Sequence, residues 1–316
     1  MTLKTLVALD VGLSRPVAGK TFEEIISQGQ VLNVDMGNGA IIPILTDATH
    51  LTLPDGVAYC KSSQRLFVTN MGVPPKNDGS VISMRVDGTD PRVILQKGQV
   101  HTPKQLAVDA VNNKLYVADR EGMRILRCNL DGSDLETLVR TGDKTDARDQ
   151  TTWCVGIAVS PKAGVFYWTQ KGPSKGGLGR IFCALMESGE ARPREPQCLL
   201  DGLPEPIDLD IDESTNTLYW TDRGELPYGN TFNRAQLDAR GFALAREQAD
   251  QTTGLKHEIV AQNLDEAIGL AFDEDDGRWY ISDMGGTIWS FDRSGQDKKV
   301  VCRDKERAFT GIALVK

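Results

Sequence analysis

The 316-residue sequence predicts an all-β fold, a six-bladed β-propeller of four-stranded antiparallel blades, running as one domain over residues 1–316. Three observations carry that expectation. An apolar-aromatic motif closing on Thr/Ser-Asp, or a near variant, recurs six times. A Gly-apolar-Ala motif runs ahead of it by about a dozen residues. The copy of this second motif that the first unit lacks at the N-terminus stands instead at the extreme C-terminus.

The copies of the first motif are Leu6-Val7-Ala8-Leu9-Asp10, Leu66-Phe67-Val68-Thr69-Asn70, Leu115-Tyr116-Val117-Ala118-Asp119, Phe166-Tyr167-Trp168-Thr169-Gln170, Leu218-Tyr219-Trp220-Thr221-Asp222 and Trp279-Tyr280-Ile281-Ser282-Asp283. Their last residues lie 60, 49, 51, 52 and 61 positions apart, and a Gly follows each within three residues. Short apolar runs stopped by Gly read as buried strands. The preceding motif is Gly56-Val57-Ala58, Gln105-Leu106-Ala107, Gly156-Ile157-Ala158, Asp208-Leu209-Asp210, Gly269-Leu270-Ala271 and, last, Gly311-Ile312-Ala313. Acidic or Asn-rich turns, such as 109–113 and 212–216, join the two as hairpins. A third strand follows, as at 79–84 and 123–128, then Asp-Gly (Asp87-Gly88, Asp131-Gly132) and a fourth strand such as 92–95. Residues 310–315 supply the first unit's first strand, so the ring closes by pairing both chain ends, which removes a free edge. The recurrent Asp10, Asp119, Asp222 and Asp283 read as turn caps. Tyr167, Trp168, Tyr219, Trp220 and Tyr280 read as packing between blades.

With 36 basic and 44 acidic residues the net charge is −8 and the pI near 5.1. That balance argues against nucleic acid or an anionic membrane as the main partner. No stretch reaches the roughly 18 apolar residues of a membrane helix. The N-terminal run lacks the apolar region and cleavage site of a signal peptide, so a cytoplasmic location is expected. Cys60, Cys128, Cys154, Cys183, Cys198 and Cys302 form no C-x-x-C pair and are expected as free thiols, with Cys128 and Cys183 at similar third-strand places. Residues 14–21 end like a phosphate loop but begin with Ser14 where Gly is needed, and no parallel sheet surrounds them. Three His without an H-x-x-x-H spacing argue against zinc. His101 and Cys154 lack the context of a covalent nucleophile.

The strand order puts the connections from second to third strand, and from fourth strand to the next unit, on one face. Those connections are long and dissimilar, the opposite ones short, so the site is expected at the channel mouth on the long-loop face. The first-strand entrance there is Gly in four units, which leaves space near the axis, and Gln105 and Asp208 in the other two. Asp55, Lys104, Trp153, Cys154, Glu266, Phe309 and Thr310 stand just upstream of these entrances; Arg120, Lys171, Arg223, Glu225, Tyr228 and Met284 lie on the loops. Few polar groups among aromatics and Met suit a mostly apolar small molecule.

The Tyr-Trp-Thr-Asp copies resemble the six-bladed propellers of the low-density-lipoprotein-receptor type, and the whole-chain pattern resembles the gluconolactonase and senescence-marker-protein superfamily. The second resemblance implies a divalent ion held by Glu, Asp and Asn side chains at the entrances. Asp55 matches, with Asp208 and Glu266 nearby, but Val155 and Lys104 stand where ligands belong, so no metal or other cofactor is expected. The chain also resembles the hetero-Diels–Alderases of fungal natural-product clusters. That resemblance implies a cofactor-free cyclase joining an apolar terpenoid-type alkene to an oxygen-bearing heterodiene. In it Gln105 and a basic group (Lys104, Arg120 or Arg223) polarise the reacting oxygen, Asp208 takes a proton or holds a donor, and Trp153, Tyr228 and Met284 fold the hydrocarbon. Two other readings stay open: a metal-dependent lactone hydrolase, and a non-catalytic binding propeller.

Overall fold

Each copy of the apolar-aromatic motif forms the second strand of a four-stranded antiparallel sheet in the computed structural model, which describes residues 4–15, 17–189, 194–245, 248–251 and 254–316. These second strands are Thr5–Asp10, Arg65–Asn70, Lys114–Asp119, Val165–Gln170, Thr217–Asp222 and Arg278–Asp283, in blades 1 to 6. The Gly-apolar-Ala copies form the first strands: Phe309–Val315 in blade 1, then Pro54–Cys60, Pro103–Asp109, Cys154–Ser160, Pro206–Asp212 and Ala267–Asp273. First strands of neighbouring blades touch all the way round, from blade 1 to 2 and on through 6 back to 1. The result is the expected six-bladed propeller.

Period-two alternation decides the packing. In Leu218-Tyr219-Trp220, Leu218 and Trp220 enter the core shared with blade 4, while Tyr219 enters the core shared with blade 6. Every seam carries such a core, and Trp168, Trp220, Trp279, Tyr116 and Tyr167 are almost fully buried in them. Each large side chain so buried contributes about 1.5–3 kcal/mol.

The motif's Thr or Ser has a second task. Thr69, Thr169, Thr221 and Ser282 each accept a hydrogen bond from the entrance N–H of their own first strand (Gly56, Gly156, Asp208, Gly269) at 2.7–3.2 Å. Each hydroxyl also donates to a carbonyl of the next blade's first strand, at Lys104, Ile207, Ile268 and Thr310. One hydroxyl therefore ties two blades. Leu9 and Ala118 stand at this position in blades 1 and 3.

The motif's Asp closes the turns. Asp119 accepts from the His101 and Thr102 N–H groups, Asp222 from Glu205 and Gly224, and Asp283 from Thr287, Asp265 and the Trp289 indole. Asp10 accepts from Gly12 and Ala308 and pairs with Arg15 and Arg307.

Ring closure pairs Phe309–Val315 antiparallel with Thr5–Asp10, with Thr5 opposite Val315 and Leu6 opposite Leu314. Outside the strand pair, Lys4 and Lys316 both reach the buried Asp273, at 2.7 and 3.0 Å.

Three expectations need correction. The entrance glycines do not open space: a Cβ at Gly56, Gly156, Gly269 or Gly311 would lie 2.3–2.6 Å from a backbone oxygen of the next first strand. They are small because adjacent first strands press together there. The opposite face is not uniformly short-turned, since the third strand of blade 5 ends there at Gln236 and the fourth does not begin until Glu258. Cys128 and Cys183 are not equivalent: Cys128 pairs with Leu115 and Cys183 with Tyr167, one register step apart, so they face seams on opposite sides of their blades.

Of the stretch 14–21, residue 16 lies outside the described residues; residues 17–21 lie in the loop of blade 1 and lead into the short helix Phe22–Ile26, which Thr21 and Glu24 close with a capping box. Among the described residues, no helix is long and apolar enough to cross a membrane.

Candidate functional site

On the long-loop face each blade brings three residues to the mouth. They are the residue before the first-strand entrance, the one two positions further upstream, and the one just after the second strand. By blade these are Thr310, Ala308 and Val11; Asp55, Leu53 and Met71; Lys104, Thr102 and Arg120; Val155, Trp153 and Lys171; Ile207, Glu205 and Arg223; Ile268, Glu266 and Met284. In five blades the last two are joined by backbone: the N–H groups of Val11, Met71, Arg120, Arg223 and Met284 donate to Ala308, Leu53, Thr102, Glu205 and Glu266 at 3.0–3.1 Å.

The mouth is divided by chemistry. Blades 6, 1 and 2 give an apolar side, where Val11, Leu53 and Ala308 pack with Met71, Met284 and Ile26 of the capped helix. Blades 3, 4 and 5 give the cations Lys104, Arg120, Lys171 and Arg223. Val155, Ile207 and Ile268, the residues before the entrances of blades 4, 5 and 6, form an apolar floor with Met284.

Lys104 is the centre of the polar side. Its ammonium pairs with Asp55 and lies 3.2 Å from Met71 Sδ. Gln105 Nε2 donates to the other Asp55 oxygen at 3.1 Å. Burial pulls the Lys104 amine down to about 8; Asp55 works against that, and Arg120 and Arg223 add to it. A second group surrounds Glu205, which is wholly buried. Lys171 Nζ and the Arg223 guanidinium bond one oxygen at 2.8–3.0 Å, and the Lys175 N–H reaches the other at 2.9 Å. Burial acts to raise the Glu205 carboxyl, but Arg223 and Lys171 outweigh it and hold it below the usual range. Arg120 pairs with Glu121 and lies over the Trp153 ring, 5.2 Å from its centre.

The structure thus brings together Asp55, Lys104, Gln105, Arg120, Trp153, Arg223, Met284 and Thr310, whose hydroxyl bonds the Pro54 carbonyl at 3.1 Å. Glu266 stands at the rim with left-handed backbone (φ 56°), its N–H bonded to the Asn230 side chain. Asp208 turns into the seam with blade 6, where the Leu209 and Leu270 N–H groups bond its carboxyl. Burial raises it well above the carboxylate range, against those two bonds, with Asp210 and Asp55 adding. Three expected residues do not line the mouth. Cys154 is buried in the core between blades 3 and 4, and burial pushes its thiol to about 12. Phe309 is buried between blades 6 and 1, because its strand position faces the seam. Tyr228 is exposed and lines a cleft of about 1020 Å³ beside the outer strand of blade 5, with Arg234, His257 and Arg293. Sequence reasoning missed Glu205. The signal was there: Glu205 holds the place of Trp153 and Glu266 in the repeat, and Lys171 that of Arg120 and Arg223. Among the described residues no three or more His, Cys, Asp or Glu side chains gather as a metal ion requires. The donor set at the mouth does not fit a divalent ion, since the Lys104 ammonium already occupies the Asp55 carboxylate.

No protein-family model matches the chain. It is similar to the 3-hydroxyacyl-CoA dehydrogenase-like protein LAM1 of Cochliobolus heterostrophus, with 46% identity over 99% of the chain, and spans 65% of that relative's length. It is also similar to the low-density lipoprotein receptor-related protein 1 of Pyricularia oryzae, with 40% identity over 90% of the chain and 94% of the relative. Among solved structures, a chain of the nidogen/laminin complex superimposes with a TM-score of 0.70 at 14% identity, covering 99% of this chain and 98% of that one. A luciferin-regenerating enzyme does so with a TM-score of 0.57 at 11% identity, covering 82% and 78%. At such identities the structures share the fold alone, and that fold serves a binding complex and an enzyme alike. The 40% identity spans nearly all of both chains, and by it this chain belongs to the family of the low-density lipoprotein receptor-related protein 1 of Pyricularia oryzae.

Proposed function

We propose that the mouth binds an apolar, oxygen-bearing small molecule and promotes its ring closure without a cofactor, with hetero-Diels–Alder addition of a terpenoid-type alkene to an oxygen-bearing heterodiene as the favoured reaction. One observation carries the reading: the bonded group Lys104, Asp55 and Gln105 shares the ring of entrance positions with the apolar cluster Val155, Ile207 and Ile268, which holds the residue before the entrance in the next three blades. Polar donors beside a water-poor floor are what such an addition needs. The hydrocarbon rests on the floor and on Met284, and the Lys104 ammonium and Gln105 amide donate to the oxygen as it gains charge. Holding both partners as near-attack conformers lowers the barrier by roughly 7–11 kcal/mol at best. One well-placed donor contributes about 3–4 kcal/mol. Arg120 and Arg223 strengthen the field on the same side. Asp208, bonded by two backbone N–H groups, is read as holding the seam rather than moving a proton.

The relatives' names point in different directions, one to a dehydrogenase-like protein and one to a receptor-related protein, and neither decides the reaction. The test uses an o-quinone methide, released in water from its benzylic alcohol precursor, with a trisubstituted terpene alkene. Chiral chromatography measures the adduct. Enantiomeric excess with the wild-type chain, lost in Gln105→Ala, supports the reading. A racemic adduct at the uncatalysed rate overturns it and leaves the mouth as a binding site.

A further inference from the structure

We propose that Lys104 is an amine nucleophile that captures an apolar aldehyde or ketone as a protonated imine. The inference rests on reading the mouth as a small-molecule site; for a substrate with a carbonyl group it replaces the Lys104 hydrogen bond by a covalent step and leaves donation to any remaining oxygen to Gln105.

Two lysines at the mouth are largely buried, and their surroundings differ. Lys171 is consumed by structure: its ammonium bonds Glu205 and the Gly172 carbonyl, and Arg223 shares the same Glu205 oxygen. Lys104 has one strong partner, Asp55, and one soft one, Met71 Sδ. The position that Lys104 holds in blade 3 is apolar in the next three blades, where Val155, Ile207 and Ile268 pack together. Asp55 is itself placed for proton transfer, since Gln105 occupies one carboxylate oxygen and leaves the other to Lys104. A lysine set between a carboxylate and an apolar surface is the arrangement that makes an amine nucleophilic, because burial disfavours its charged form.

The step balances without an outside oxidant or reductant. The Lys104 ammonium passes one proton to Asp55. The neutral amine adds to the carbonyl carbon, and a proton moves from nitrogen to the new alkoxide. Asp55 returns its proton to that hydroxyl, which leaves as water while the nitrogen lone pair forms the C=N bond. The product is a protonated imine, and Asp55 is again a carboxylate. Such an iminium withdraws electrons from a conjugated alkene or diene, the activation a cycloaddition uses.

The test traps the imine. The intact protein is incubated at neutral pH with octanal and cyanoborohydride, digested, and mapped by mass spectrometry across its 16 lysines. The octyl group is expected on Lys104 at least about ten-fold more often than on the average exposed lysine, which stays protonated. Asp55→Asn is expected to slow that labelling several-fold, and Lys104→Arg to abolish it while circular dichroism keeps the folded spectrum. Occupancy is read separately with octanol, which has no carbonyl: a change in tryptophan fluorescence absent from Trp153→Phe reports binding at the mouth. Octanol binding with label spread over exposed lysines and none on Lys104 overturns the imine and leaves the small-molecule site standing. No octanol binding and no selective label overturns both.

Discussion

Asp210 occupies the place that is Ala58, Ala107, Ala158, Ala271 and Ala313 in the other blades. Burial pushes its carboxyl up to about 7, with Glu274, Asp212 and Glu213 adding. Unfolded, it titrates near ~3.9. Between those values the folded chain holds a proton that the unfolded chain has lost. Its contribution is thus fully present below about pH 4 and is lost as pH rises through about 7. Asp210→Asn keeps an acceptor for the 2.8 Å bond from the Ile211 N–H. It is expected to raise the thermal midpoint at pH 8, by about 1 kcal/mol in stability, and to change nothing near pH 4. Equal midpoints at pH 8 would show that the carboxyl is not pushed up. Mouth and motif residues should separate in the same assay. Gln105→Ala should remove the enantiomeric excess of the adduct and leave the midpoint almost unmoved. Asp222→Ala should do the reverse, because it strips the acceptor from the buried Glu205 and Gly224 N–H groups at a cost of about 1–3 kcal/mol.

At the scale of the strand, the entrance glycine and the motif hydroxyl form one joint between blades. Gly156→Ala places a Cβ 2.3 Å from the Ile207 carbonyl oxygen, and backbone cannot step aside there. A loss of about 2 kcal/mol or more is expected in urea unfolding, against almost none for Gly189→Ala, which meets nothing within 4 Å. Similar losses for both would mean that the first strands are looser than described. Thr169→Val removes the hydroxyl between the Gly156 N–H and the Ile207 carbonyl and should cost about 1–3 kcal/mol. The strands themselves were legible in the sequence, because alternation and Gly stops are local signals that recur in every unit. The joint was not. Four glycines in register look like room for a ligand until the neighbouring strand's distance is known. The repeat showed the places of Lys171, Glu205 and Arg223 but not their bonding, since the three come from two blades and a contact across a seam leaves no spacing to read. The same holds for Cys154 and Phe309, which lie near the entrances in sequence but face a core.

For the whole molecule, the permuted strand is the feature on which the ring depends, and it was readable because an unpaired motif at one end answered a missing one at the other. Deleting residues 309–316 should abolish soluble, cooperatively folding protein, since it exposes the second strand of blade 1 and empties the core around Phe309, Ile312 and Leu314. A monomeric truncation with an unchanged midpoint would refute the role of the closure. The direction of that pairing has a mechanical consequence. Thr5 lies opposite Val315, and Lys4 and Lys316 meet on Asp273, so both chain ends leave the ring at the same end of the same strand pair. A force pulling the ends apart does not shear the pair, which would load its hydrogen bonds together. It peels them one after another, beginning at Thr5 and Val315. Resistance to heat and resistance to traction are then separate properties of this ring: the first is spread over six cores, while the second is set by one bonded pair at a time. Stretched between tethered ends in an optical trap, the propeller should give way at blade 1 at a low force. The same ring held through two loops on opposite blades should withstand a larger one.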